Sequence, residues 1–522
     1  MAGEARAGAP PAGGAGNDLA GRLERLTPAQ RALLARRLGQ RASPGPYRLS
    51  ATQFGIWLFE QLNPGTSTYH NPAAVRLSGL VEEDLLREAL QRVQDRHEPL
   101  RSRYPADEDG VPRAFVEPPG ALRLPWRLVD VGDLPDPGRE AARIVREEAV
   151  TPFRLDRGPV WRCLLVRTGP DERVLVATFH HIVSDGGSLG VLLAELGAHY
   201  PALVSGERPA PAVPPKGYFA LAAKDAVAPG ALEHWLGTLD GAPDRIDLSA
   251  LAEWPGQCEK PQPYASTGEF VSADQIGQTE RPGQSQVAAA GRKWAGREMT
   301  LRVPGSTAAA LEHLCSRRSA SLFAGLVAAS AATLHRASGQ GDLVLTTPVD
   351  RRDREGLALI GCFVNTVVLR LRVCPDDRLD ALLERAAGVV ADALAHSDLP
   401  FSRLVSALPR RGDGRSPFGN VAVVHNNAPL DTVSLGNLRL SHHPLPPVEV
   451  KHDLALSWNR RRDELTGRIE YAARFPDAAV EGLARHLRYT VEMLATAPAT
   501  RVADLSPLSP LSPLSPLSEP AG

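Results

Sequence analysis

A chain of 522 residues is too long for one ordinary hydrophobic core, so it is expected to fold as two or more packed units. Its 59 basic and 60 acidic side chains leave a formal net charge of −1, and the basic residues are mostly arginines scattered along the chain, which removes the electrostatic case for nucleic acid or an anionic membrane surface. The five cysteines, Cys163, Cys258, Cys315, Cys362 and Cys374, are odd in number and form no Cys-x-x-Cys pair, which argues against a disulfide framework or zinc site and for a reducing interior.

Residues 1–16 are rich in Gly, Ala and Pro, lack an apolar signal core, and are expected to be disordered. Residues 17–45 predict a helical N-terminal extension: Thr27, Pro28 and Gln30 form a capping box with proline at the first helical position, and Leu33, Leu34 and Leu38 follow at helical spacing. Such a piece can dock a partner or pack on its own domain. An N-terminal lobe is expected over 46–205. Within it "EEDLLREALQRVQDRHEPL" is an amphipathic helix, and "WRCLLVRTG" and "RVLVATFHH" are strands joined in a hairpin. "GSLGVLLAELGAHYPALV" is a helix with Ser188 as its expected N-cap.

Residues 206–216 read as a Pro-rich linker, leading to a C-terminal lobe over 217–504. That lobe predicts a helix near 307–336, strands "DLVLTTPV" and "CFVNTVVLRLRV", a helix near 378–396, strands "NVAVVHNN" and "LTGRIEYAA", and a closing helix "DAAVEGLARHLRYTVEML". Residues 245–295 are polar and irregular and read as an exposed excursion. The tail, 505–522, is a Leu-Ser-Pro repeat, in which proline at every third position favours an extended, solvated and disordered chain. "SLFAGLVAASAATLHRASG" is too short and too mixed to span a bilayer, so the expectation is a cytoplasmic protein.

The most informative stretch is "RVLVATFHHIVSDGGSLG". Successive side chains on a strand point to opposite faces, so His180 and His181 cannot both reach one reacting atom; one faces a cleft and the other packs inward. Asp185 in the turn can orient backbone amides or pair with a cation, and Gly186-Gly187 permits tight passage into a helix. A neutral imidazole is suited to accept a proton at cellular pH. No further ligands stand nearby at metal-site spacing, so no metal is expected. There is also no G-x-S-x-G elbow and no phosphate-binding G-x-x-x-x-G-K-[ST] loop.

With this pattern in view, "HHIVSDGGS" resembles the H-H-x-x-x-D-G motif of nonribosomal peptide synthetase condensation domains. Five further stretches resemble that family in the same order: "LSATQFGIWLFEQLNPGTSTYHNP", "RHEPLRSRY", "TPVDRRDREGLALIGCFVNTVVLR", "HSDLPFSRLVSAL" and "KHDLALSWNRRRDELTGRIEYAARFPDAAVEGLARHL". Together they span roughly residues 47–495. The resemblance implies an α+β fold of two chloramphenicol-acetyltransferase-like lobes in a V-shaped pseudo-dimer with a central tunnel. It implies that His181 is the functional histidine, that His180 and Asp185 are structural, and that Asp185 ties the lobes by pairing with Arg352, with Arg351 as the near alternative. Gly186 would allow backbone approach, and Asn365 would lie toward the site. The sequence departs from the family at Gly187, where a tryptophan is frequent, and in blurred stretches at 217–225 and "RGDGRSPFGN".

The chemistry that the resemblance implies joins an acyl or aminoacyl thioester, presented on the phosphopantetheine arm of a partner carrier protein, to an amine or alcohol acceptor. No cofactor would be bound by the chain itself. No adenylation or carrier motif is recognisable, so the expectation is a free-standing condensation enzyme acting on an acyl or peptidyl carrier protein in trans, with a small-molecule or carrier-bound acceptor, in natural-product biosynthesis. The alternatives are an acyl-CoA-dependent acyltransferase of the same superfamily, a non-catalytic recruitment module, and an epimerisation domain.

Overall fold

The computed structural model describes residues 46–207, 216–222, 227–252, 271–272, 295–408, 418–426, 435–443, 445, 447–461 and 464–505. The N-terminal extension, most of the Pro-rich linker, Cys258 and the Leu-Ser-Pro tail lie outside these residues.

The first unit is built from helix α1 (Ala51–Leu62), strand β1 (His70–Ser78), helix α2 (Glu83–Arg96), strand β2 (Trp126–Asp130), helix α3 (Pro137–Val150), strands β3 (Trp161–Arg167) and β4 (Glu172–His180), and helix α4 (Gly186–Val204). β3 and β4 pair antiparallel around a short turn, as the sequence predicts, and β4 pairs antiparallel with β1 in a register that sets His180 opposite His70. Period-two alternation divides the strands between two cores. Cys163, Leu165, Leu175 and Ala177 face the core with Leu86, Leu90 and Val93 of α2 and Leu192 and Leu196 of α4, whereas Leu164, Val166, Val174 and Val176 face Ala141, Ile144 and Val145 of α3. Helices therefore cover both faces of this sheet.

Ser188 is not the N-cap of α4. Asp185 holds that position and accepts from the Ser188 backbone N–H at 3.1 Å, while Ser188 Oγ accepts from the Asp185 backbone N–H as the third residue of a capping box. A carboxylate at an N-cap also complements the helix dipole, which a serine does less well.

The second unit carries strands β5 (Val271–Ser272) and β6 (Gly296–Pro304), helices α5 (Gly305–Arg317) and α6 (Leu322–Ser338), and strands β7 (Asp342–Asp350) and β8 (Val364–Arg372). Helices α7 (Leu379–Ala395) and α8 (Phe401–Ala407), strands β9 (Val421–Asn426), β10 (Arg439–His442), β11 (Leu454–Arg460) and β12 (Glu464–Ala472), and helix α9 (Asp477–Thr496) follow. The single helix expected near 307–336 is two helices. The first ends near Arg317, Ser319 takes a positive φ of 52°, and Ser321 caps the next helix by accepting from the Ala324 N–H. α6 is apolar almost all round and is the buried centre of the larger core. Among the described residues no helix is long and apolar enough to cross a membrane.

The seven-stranded sheet runs β8-β7-β9-β11-β12-β6-β5. The tenth strand leaves it and pairs antiparallel with β1, completing a five-stranded sheet of order β10-β1-β4-β3-β2. Other pieces of the later chain also return to the first core: Tyr218, Phe219, Ile360, Cys362, Leu435 and Leu438 are buried there. The two halves are thus interlocked at several points of the chain.

Candidate functional site

The histidine pair is held from beneath by α1. Ser50 and Gln53 close a capping box that starts this helix. Gln53 and Glu60, seven residues apart, share one helical face. Gln53 donates to the Ile182 carbonyl at 2.8 Å, and Glu60 Oε1 lies 3.2 Å from His180 Nε2. His180 is fully buried, and its Nδ1 accepts the Ile182 backbone N–H at 3.1 Å. That bond assigns the ring proton to Nε2, which donates to Glu60. Burial, with a smaller push from Lys451, holds the His180 imidazole down at about 3, and burial pushes the Glu60 carboxyl up to about 7. His180 is neutral, with both ring nitrogens engaged.

His181 lies one residue past the end of β4 and differs in each respect. The residue is partly exposed, but its Nδ1 is buried and has no hydrogen-bond partner among the described residues. Its backbone N–H donates to the Tyr69 carbonyl at 2.8 Å, and the Tyr69 ring stands edge-on, 6.2 Å between centroids. Burial, followed by the positive charge of Lys451, holds its imidazole down at about 3, so it is neutral at cellular pH.

Asp185 and Arg352 form a bidentate pair across the two halves, at 2.6 and 2.8 Å, with both side chains almost wholly buried. Asp185 also accepts from the Ser188 hydroxyl at 2.9 Å and from the Phe363 N–H at 2.8 Å, while Arg352 donates to the Ser188 hydroxyl and the Gly361 carbonyl and lies over the Phe363 ring. Burial alone would lower the Arg352 guanidinium; the charges and hydrogen bonds of Asp185 and Asp350 together outweigh it and hold the group above its ordinary value. Of the two arginines left open by the sequence, Arg352 makes this pair, and Arg351 lines a recess with Ser50, Thr52, Phe363 and Asn365.

The close approach in the Gly-Gly turn falls on Gly187. A Cβ there would stand 2.7 Å from Arg352 Nη1, whereas nothing lies within 4 Å of the corresponding position at Gly186. The residue after the motif's glycine therefore presses on the inter-lobe pair. Asn365 is buried, and its amide is committed to the backbone: Nδ2 donates to the Ser397 and Leu399 carbonyls at 2.9 and 2.8 Å, and Oδ1 accepts from the Phe401 N–H. It locks the 397–401 turn that starts α8.

Sequence reasoning missed three residues here. Glu60 fixes His180, Glu449 pins the loop before β1, and Lys451 stands beside Tyr69. Glu449 Oε2 accepts from the Thr66 hydroxyl and Ser67 N–H, both at 2.7 Å, and from the Thr68 hydroxyl at 3.2 Å. Lys451 Nζ lies 4.9 Å from the Tyr69 ring centroid, within cation–π range. Lys451 is exposed, and desolvation of its ammonium lowers it to about 8. The only signal in the sequence was that "KHDL" opens the last family-like stretch. Elsewhere in the second unit, His234, Asp392 and His396 form a group able to hold a metal ion, remote in sequence from the histidine pair.

Residues 44–512 match the family model for the condensation domain. The chain is 33% identical to phosphinothricin tripeptide synthetase PhsC of Streptomyces viridochromogenes over 94% of its own length and 44% of the relative's. It is 32% identical to malpinin synthetase of Mortierella alpina, over 85% of its own length and 5% of that protein. It thus spans less than half the length of these relatives. Among solved structures, the X-domain from teicoplanin biosynthesis superposes with a TM-score of 0.72 at 25% identity, covering 89% of this chain and 98% of that one. The first condensation domain of the calcium-dependent antibiotic synthetase, in complex with a substrate analogue, shares the fold with a TM-score of 0.70 at 22% identity, covering 89% and 99%.

Proposed function

The chain belongs to the condensation-domain family of nonribosomal peptide synthetases, and from that premise we propose that it joins a carrier-bound acyl or aminoacyl thioester to an amine or alcohol acceptor at His181, acting on a carrier protein in trans. The two units act as lobes flanking a passage, with the thioester and the acceptor approaching from its two ends. The observation that carries this reading is the contrast within the histidine pair: His180 is buried with both ring nitrogens bonded, while His181 is partly exposed, its Nδ1 has no described partner, and it feels the charge of Lys451.

The reaction asks for little covalent help, because a thioester carbonyl is already activated. The acceptor lone pair forms the new C–N or C–O bond as the carbonyl π pair moves onto oxygen. That pair returns, the C–S bond breaks, and the thiolate leaves. The proton lost by the acceptor passes to the departing sulfur, with His181 as the group in reach. An imidazole held near 3 is a weak base, so its main service is to accept a hydrogen bond from the acceptor and aim the lone pair at the carbonyl carbon. The buried Asp185–Arg352 pair keeps the two lobes in register around that point.

Intact-mass analysis tests the reading. The protein is incubated with a separately prepared acyl-loaded carrier protein and a panel of amines and alcohols. Acyl loss from the carrier above the buffer rate, with product of matching mass, is expected. Acyl loss no faster than spontaneous hydrolysis with every acceptor contradicts it. A recruitment role is the second reading, favoured by the likeness to the X-domain, which has also been solved in complex with OxyB; protein capture without acyl loss would support that instead.

A further inference from the structure

Lys451 is the cation nearest in kind to what this chemistry lacks. If His181 is a weak base, the negative charge that develops on the thioester oxygen needs a partner from elsewhere. Resting on the reading above, we propose that Lys451 Nζ stabilises that oxygen as it becomes an alkoxide, making Lys451 a further catalytic residue for the joining reaction.

Four observations converge on it. Among the described residues no carboxylate lies within ion-pair distance of Lys451, whereas the buried Arg352 and the largely buried Arg162 are paired with Asp185 and Glu148. A cation with no anion in ion-pair distance is available to one that arrives with a ligand. Its ammonium lies over the face of Tyr69, the residue whose carbonyl holds the His181 backbone, so the same residue orients both groups. Its main chain is anchored two residues earlier, where Glu449 takes three hydrogen bonds from Thr66, Ser67 and Thr68 of the opposite lobe. Finally, Lys451 is exposed, so a substrate can reach it.

The step balances without any other reagent. The acceptor lone pair adds to the carbonyl carbon, and the C=O pair becomes an alkoxide beside the Lys451 ammonium. When that pair re-forms the carbonyl, the thiolate departs and takes the proton given up by the acceptor. Lys451 remains protonated throughout. A charged donor placed where the oxyanion forms contributes about 10²–10³ in rate.

The groups facing Lys451 set its pH behaviour. Glu470 of β12 and Cys362, just before β8, favour its charged form. His180 and His181 at the end of β4 and the adjacent His452 are held neutral partly by its charge. Asp453 is occupied by Arg245 and Arg474.

The test compares two pantetheine-linked probes: a methylphosphonate, whose anionic tetrahedral centre mimics the adduct, and the neutral ketone isostere. Wild-type protein is expected to bind the phosphonate at least tenfold more tightly than the ketone below pH 8, and to lose this preference above it. Lys451→Met is expected to abolish the preference, and Lys451→Arg to retain it to higher pH. In turnover, Lys451→Met is expected to lower kcat about 10²-fold with little change in KM. Equal affinity of wild-type protein for both probes, or a preference that survives in a folded Lys451→Met protein, overturns the proposal. So does a loss confined to KM for acceptors bearing a carboxylate, which would make Lys451 an acceptor clamp. A wild-type protein that discriminates between the probes but releases no acyl group from any carrier would instead remove the joining reaction and leave the anion site standing.

Discussion

Two sides of the same lobe junction solve opposite problems. On one side Asp185, Arg352, Ser188 and the Gly361 and Phe363 backbone form a buried network in which both Asp185 carboxylate oxygens and both terminal Arg352 nitrogens are bonded, Arg352 Nε alone of its side-chain nitrogens lacking a described partner. On the other, Lys451 lies over the Tyr69 ring, which stands edge-on to His181; the buried His181 Nδ1 has no described partner and Lys451 has no described carboxylate. Saturation fixes geometry, and unsatisfied groups leave capacity for a ligand. Charge and burial are greatest at the Asp185–Arg352 pair, where every charge is already matched between the two halves.

Breaking the saturated side should cost folding. Arg352→Ala leaves Asp185 buried without its cation and is expected to destabilise the protein by about 3–5 kcal/mol in urea unfolding. An unchanged midpoint would mean that the lobes do not depend on the pair. Next in size, His180→Ala strands the Ile182 N–H and the Glu60 carboxyl and is expected to cost about 1–3 kcal/mol, with lost activity explained by lost fold. Gly187→Ala brings a Cβ to 2.7 Å from Arg352 Nη1 and is expected to cost about 1 kcal/mol as the guanidinium shifts. The same change should be nearly silent in an Arg352→Ala background, and a full additive penalty there would place its effect elsewhere.

A separate effect is in pH dependence. His70 and His180 sit near 4 and 3 in the folded protein, below an ordinary histidine, so their stabilisation is present above about 6.5 and is lost as pH falls toward those values. Glu60, raised to about 7, works the other way: its contribution is present below about 4.5 and is lost as pH rises through 7. Glu60→Gln should therefore steepen the rise of stability between pH 4.5 and 7 by up to about one proton, roughly 1.4 kcal/mol per pH unit. Parallel pH profiles for the two proteins would show that Glu60 ionises normally.

Much of this could be read from the chain because it is local. Strand alternation separates His180 from His181, and Leu and Val spacing gives β3, β4, α2 and α9. The break between α5 and α6 was hidden because a continuous apolar pattern masks the positive φ at Ser319. Ser188 looked like a cap because Ser, Asp and Gly all suit that turn, and only the geometry chooses Asp185. The partners of the site were out of reach for a different reason: Glu60 meets His180 across 120 residues, and Thr66 meets Glu449 across 383. Tertiary packing decides such pairings, and no periodicity encodes them.

The most direct measurement is single-turnover acyl loss from a loaded carrier protein, comparing wild-type with His181→Ala and recording the unfolding midpoint of each sample. If His181 aims the acceptor, its removal lowers the rate about 10²-fold while the midpoint stays within error. A rate within twofold of wild type, or a drop fully matched by loss of folded protein, would contradict the assignment of the chemistry to His181.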